Sequence, residues 1–142
     1  MSTAGLDVFD TTLQKTNIWL NDIAKELGLA DRRQAYAALR AALHALRDRL
    51  TVEETVQLGA QLPMLIRGMY YEGWRPRGKP LKQHKPEFLS AIRHGCALCD
   101  EIDPERVVRA VFKVMAARVS AGEIDDVKHI LPAALRALWP EA

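Results

Sequence analysis

The sequence predicts an all-α fold, a six-helix bundle made of two tandem three-helix repeats, and three observations point there. The chain matches itself without a gap at an offset of 69 positions, its apolar residues recur at helical spacing, and both halves carry the same cap and the same proline in register. A period of this kind marks a repeated supersecondary unit. The offset places Arg40 on Arg109, Ala41 on Ala110, Arg49 on Arg118, Glu54 on Glu123, Leu62 on Leu131, Pro63 on Pro132 and Arg67 on Arg136. Apolar positions fall on apolar ones: Leu43 on Phe112, Leu46 on Met115 and Tyr70 on Trp139, with Trp19 on Phe88 and Ile23 on Ile92 nearer the amino end.

The first helices are expected over 6–27 and 87–98. In the second helix of the first unit, Tyr36, Leu39, Leu43, Leu46 and Leu50 step by three and four. They form one stripe toward the core, while Arg40, Arg47 and Asp48 point elsewhere. Val108, Val111, Phe112, Met115 and Val119 repeat the pattern. Asp31 stands as a cap before one of these helices, and Asp103-Pro104-Glu105 offers a cap, a first-turn proline and an acid before the other. The third helices open on Thr51-Val52-Glu53-Glu54 and Ser120-Ala121-Gly122-Glu123, both capping boxes in which hydroxyl and carboxylate satisfy backbone amides reciprocally. Pro63 and Pro132 then fall where a regular interior would lose roughly 3 kcal/mol. Each third helix is therefore expected to bend or break there. Segments 64–70 and 133–139 would join a shared core, with Arg67 and Arg136 in equivalent places.

With 142 residues, 49% of them hydrophobic and 27% charged, the chain has the makings of a single domain with a packed core, 1–142. The repeat units run from about 6–71 and 87–139, joined by a Gly/Pro-rich linker, 73–86. No apolar run reaches the ~18 residues of a membrane span, and the amino end lacks the pattern of a signal peptide, so a cytoplasmic address is expected. A formal net charge of +2 implies no polyanionic partner by itself. Its distribution is uneven: Arg75, Arg77, Lys79, Lys82 and Lys85 stand on the linker with no acid among them.

The stretch Gln61-Leu62-Pro63-Met64-Leu65-Ile66-Arg67-Gly68-Met69-Tyr70-Tyr71-Glu72-Gly73-Trp74, following Leu46-Arg47-Asp48-Arg49-Leu50-Thr51, resembles the signature of a bacterial family known as domain of unknown function 2267. The resemblance extends over nearly the whole chain. It implies a small, soluble, helical bacterial protein with paired helical units, and it brings no activity, ligand or catalytic residue with it.

Candidate chemistry is sparse. Cys96-Ala97-Leu98-Cys99, with His84 and His94 upstream, has the spacing of half a zinc site or a redox pair. The repeat places Cys96 on Leu27 and Cys99 on Ala30, so both are expected to be reduced core fillers near the end of a helix. Gly73 to Lys79 matches a phosphate-binding loop up to its lysine, but Pro80 replaces the required Ser or Thr and no strand precedes the loop, which excludes a nucleotide site. His44 and His129 are isolated, and no Ser, His and Asp grouping stands out. No catalytic residue, cofactor or metal ligand is assigned, and an enzyme is not the expectation.

What remains is a non-enzymatic binding or scaffold module that engages a protein partner. It would use a groove between the units or a surface of Tyr71, Trp74, Arg75, Arg77, Lys79, Lys82 and Lys85. The alternative is nucleic-acid or other anion binding through 70–85. Tyr70, Tyr71 and Trp74 would then stack on bases while the cations meet phosphates.

Overall fold

The computed structural model describes residues 5–141. Among them are eight α-helices, one 3-10 turn and no strand. The helices are α1 (Asp7–Leu27), α2 (Arg32–Arg49), α3 (Val52–Ala60), α4 (Met64–Tyr71), α5 (Lys85–Gly95), α6 (Pro104–Arg118), α7 (Ala121–Ile130) and α8 (Ala133–Arg136). The 3-10 turn, Ala97–Cys99, links α5 to α6.

The start signals sit at helix N-termini. Asp31 accepts a hydrogen bond from the Arg33 amide, Asp103 from Glu105, Thr51 from Glu54 and Ser120 from Glu123. Gly28 ends α1 in the left-handed region, at φ 67°, where a residue with a Cβ is strained. Buried side chains from both halves form one continuous core. Trp19 and Ile23 of α1, Leu39, Leu43 and Leu46 of α2, Phe88 and Ile92 of α5, and Phe112 and Met115 of α6 all belong to it. Phe112 stacks on Trp139 with ring centroids 3.9 Å apart.

Both prolines break their helices. α3 and α4 are separate elements, as are α7 and α8, and Pro63 and Pro132 occupy the N-cap positions of α4 and α8. Proline has no amide to donate, so it cannot engage the carbonyl four residues back. Those carbonyls belong to Gly59 and Lys128, and both are satisfied the same way. Each accepts from the amide three residues on, Leu62 at 3.1 Å and Leu131 at 3.2 Å. Each also accepts from an arginine Nε, Arg67 at 2.8 Å and Arg136 at 3.0 Å. The same guanidinium groups reach Leu62 O and Leu131 O through a second nitrogen.

The structure corrects several finer expectations. Arg47, read as pointing away from the core, is buried beneath α4, where it donates to the carbonyls of Tyr70 at 2.8 Å and Glu72 at 2.9 Å and pairs with Asp48. Tyr36, read as the first member of the core stripe, is exposed. α5 stops at Gly95 rather than at 98, and Leu98 lies exposed on the 3-10 turn. Cys96 and Cys99 are buried as expected, but a disulfide joins them, so they are not free thiols. The linker is pinned to the end of α2: Leu81 N donates to Asp48 O at 2.8 Å, and Arg49 Nε donates to Gln83 O at 3.2 Å.

A hydrogen bond from a charged donor contributes about 1.5–3 kcal/mol when sheltered and less when wet. Arg67 is half-buried and Arg136 exposed. In urea denaturation, Arg67→Leu is expected to lower stability by about 2 kcal/mol and Arg136→Leu by about half as much. Arg33→Leu, on an exposed side chain, leaves the midpoint unchanged.

Candidate functional site

α1 holds more apolar residues than one core stripe can use. Trp19, Ile23 and Leu27 are buried, whereas Phe9 and Leu13 are exposed. Phe9, Leu13 and the buried Leu20 step along a second face at helical spacing. Together with Tyr36 of α2 and Met64 and Leu65 of α4 they line an open groove of about 830 Å³. Leu65 alone leaves 46% of its surface in water.

The polar groups in the groove are already engaged. Thr12 Oγ1 accepts the Leu65 amide at 2.9 Å, capping α4 from a neighbouring helix where Pro63 offers no side-chain cap. Thr16 Oγ1 donates to Thr12 O at 2.7 Å. Arg32 donates to Asn17 at 2.9 Å, Arg33 pairs with Asp31, and Glu72 pairs with Arg40. The groove therefore offers mainly apolar contact, its polar side chains being hydrogen-bonded or ion-paired within the fold.

A second feature lies where α3 meets α7. Glu54 and Glu123 are 6% and 8% exposed. The hydroxyl half of each capping box forms, with Thr51 Oγ1 3.1 Å from Glu54 N and Ser120 Oγ 3.3 Å from Glu123 N. The carboxylates do not complete the boxes; they converge on each other. Carboxylate oxygens of Glu54, Glu123 and Asp126 lie within 4.8 Å of one another. Glu54 Oε1 and Glu123 Oε2 are buried with no hydrogen-bond partner. Burial raises the Glu54 carboxyl well above the usual carboxylate range, and contact with Glu123 and the negative charges of Glu123, Asp126 and Glu53 push it the same way.

The linker residues are divided. Tyr70 is in the core, its hydroxyl donating to Thr55 O at 2.8 Å. Tyr71 and Trp74 are partly buried and packed together, ring centroids 5.5 Å apart, and a methyl at Gly59 would overlap the Tyr71 hydroxyl. The Trp74 indole nitrogen is buried without a partner. Lys85 pairs with Glu105 at 2.8 Å. Lys79 is partly buried, and Arg75, Arg77 and Lys82 are exposed. Arg75, Arg77 and Lys82 thus face water, while Tyr70 and Tyr71 pack against α3.

The histidines do not assemble a site. His94 and His129 each bring Nδ1 to a carbonyl one helical turn back, those of Ser90 and Asp125. His44 Nε2 lies 2.7 Å from Met69 O, half-buried. Desolvation is the main cause holding its pKa below the ordinary value, aided by Arg47 and Arg40 and opposed by the Met69 carbonyl.

Two features of the structure escaped the sequence. The groove was announced by surplus apolar residues on α1, Phe9 and Leu13 beyond the core set. The acidic seam was announced by Glu54 and Glu123, which coincide at the 69-residue offset and which the capping motif absorbed.

The described residues make a small all-helical fold with an open apolar groove and an acidic seam whose two glutamates are buried. Among its described residues no helix is long and apolar enough to cross a membrane. The chain belongs to the DUF2267 family, described as an uncharacterized conserved protein, whose profile matches residues 16–138. No curated protein matches the chain. Phe9, Thr12 and Leu13 precede the matched segment. They also precede the point at which the offset brings α1 onto α5, since Thr16 falls on Lys85.

His44 makes stability depend on pH. Its folded pKa is lowered, so the unfolded chain takes up the proton first as pH falls. The stability that neutral His44 contributes is full above the unfolded pKa of about 6.5 and is lost below it. Chemical denaturation between pH 8 and pH 5 should show His44→Gln losing less stability than the parent over that interval, whereas parallel profiles would exclude this role for His44.

Proposed function

We propose that this protein is a non-enzymatic binding module whose groove between α1, α2 and α4 takes the apolar face of an amphipathic helix from a partner protein. The observation that carries this reading is the gathering of Phe9, Leu13, Tyr36, Met64 and Leu65, all exposed, around one cavity whose polar groups are already paired. Fully burying a side chain of this size contributes about 1.5–3 kcal/mol. Such residues scattered singly would be ordinary; grouped in a groove they favour a partner. Met64 and Met69 add flexible thioethers that adapt to a helix face.

The architecture behind the groove is, in our reading, a duplicated unit. Support comes from the paired arginine bonds to Gly59 and Lys128, the paired hydroxyl caps Thr51 and Ser120, and the paired prolines, all at the same offset. The groove belongs to the amino-terminal unit, because residues 7–15 of α1 have no helical counterpart ahead of α5.

Phage-displayed peptides selected on the protein test the groove. Binders are expected to carry apolar residues at i, i+3 or i+4, and i+7, to lose at least tenfold in affinity, about 1.4 kcal/mol, against Leu65→Asp, and to bind Arg77→Gln as before. Binders without that periodicity, or equal binding to Leu65→Asp, would sink the proposal.

A second reading follows from Arg75, Arg77 and Lys82, exposed and without an acidic partner among the described residues. They suit a polyanion held by its backbone charges. The inward packing of Tyr71 and Trp74 disfavours base stacking. Affinity for labelled single-stranded or duplex oligonucleotides should then fall steeply with salt and disappear in the triple glutamine variant of those three residues. Fluorescence anisotropy showing no salt-sensitive binding removes this reading.

A further inference from the structure

We propose that Glu54, Glu123 and Asp126 form a site for one hard divalent cation of calcium's size, which fastens α3 to α7. The ligand set comes from two helices: Glu54 from α3, and Glu123 with Asp126, three residues apart on one face, from α7. Their carboxylate oxygens lie within 4.8 Å of one another. Calcium accepts irregular sets of oxygens at about 2.3–2.6 Å, whereas magnesium demands near-octahedral geometry at about 2.0–2.1 Å, so carboxylates drawn from two helices suit calcium better.

The orphaned oxygens are the independent observation. Glu54 and Glu123 are 6% and 8% exposed, and Oε1 of one and Oε2 of the other reach no donor. The hydroxyls of Thr51 and Ser120 cap the Glu54 and Glu123 amides, but the unpartnered carboxylate oxygens do not return to the amides of Thr51 and Ser120 as a complete capping box would require. An acceptor stripped of water and given no donor is unfavourable, the more so when charged. Asp126 is exposed, so the third ligand opens the site to solvent, which supplies an entry path and the waters that complete six to eight oxygens. An all-carboxylate set favours hard cations over zinc or copper. This inference stands apart from the groove and does not depend on it.

The test uses the full chain, freed of metal with a chelator and titrated at pH 8.5 with calcium, magnesium and manganese chlorides in turn, read by calorimetry and thermal unfolding. Calcium is expected to bind at about one ion per chain and raise Tm, with magnesium weaker. Asp126→Asn, at an exposed position, should weaken calcium binding by about tenfold or more. The double variant Glu54→Gln with Glu123→Gln keeps side-chain shape and lets the two amides pair, so it should fold and show no calcium-dependent shift. A parent protein that takes up no calcium overturns the proposal and leaves a shared proton between Glu54 and Glu123. Calcium uptake unchanged in Asp126→Asn overturns it as well, whether or not the double variant folds.

Discussion

A missing amide governs much of this structure. At Pro63 and Pro132 the chain cannot donate to the carbonyl one turn behind, and the helix must stop. Stopping would leave the last carbonyls of α3 and α7 exposed to competition from water. Arg67 and Arg136 stand four residues beyond the prolines, one turn into the next helix, and their guanidinium groups return to Gly59 O and Lys128 O. A planar donor with several N–H groups can hold two carbonyls at once, which a lysine cannot do with the same geometry. The break becomes a fixed corner rather than a loose joint.

The corner determines where α4 goes, and α4 forms one side of the groove. Turned at Pro63, it presents Met64 and Leu65 toward α1, where Thr12 receives the Leu65 amide. At its other end the buried Arg47 takes the carbonyls of Tyr70 and Glu72. α4 is thus held at both ends by side chains from other helices, while Leu65 in its first turn remains exposed. Short helices rarely persist on propensity alone, so these two anchors and the buried Ile66 and Tyr70 supply its order. A groove bounded by an anchored element meets a partner without first having to order itself, which lowers the entropic cost of binding.

Much of this was legible in the residues. The offset that pairs Pro63 with Pro132 also pairs the arginines, and both pairs occupy like places. Helix existence was readable wherever caps and apolar steps agreed, as at Asp31, Thr51, Asp103 and Ser120. Faces were harder, because periodicity orders side chains around one helix without saying which neighbours surround it. α2 packs against α1, α4, α5 and α6. Arg47, on what reads as its polar side, therefore falls under α4, while Tyr36 near its start is left beside the groove. The Cys96 to Cys99 disulfide was hidden for another reason: the offset sets Cys96 on Leu27 and Cys99 on Ala30, which reads as packing, and nothing in the apolar pattern announces the end of α5 at Gly95.

The acidic seam shows how a local motif can conceal a tertiary one. Thr51 to Glu54 and Ser120 to Glu123 each read as a self-contained capping box, complete within four residues. Packing α3 against α7 changes what the glutamates face. Helices whose sequences match at the 69-residue offset bring like residues together here, which is harmless for leucine and costly for an acid. Two buried carboxylates and the exposed one of Asp126 then meet at one corner, and the neighbouring charges that act on Glu54 there are negative. The two sides of that corner are not the same. Asp126 stands at the register of Gln57, so α7 contributes one more negative group than α3 does. Neutral glutamines at all these places would have met the packing requirement with hydrogen bonds and no net charge. Adding an acid on one side concentrates negative charge at the seam, and a positive ion or a proton must then supply what the side chains do not.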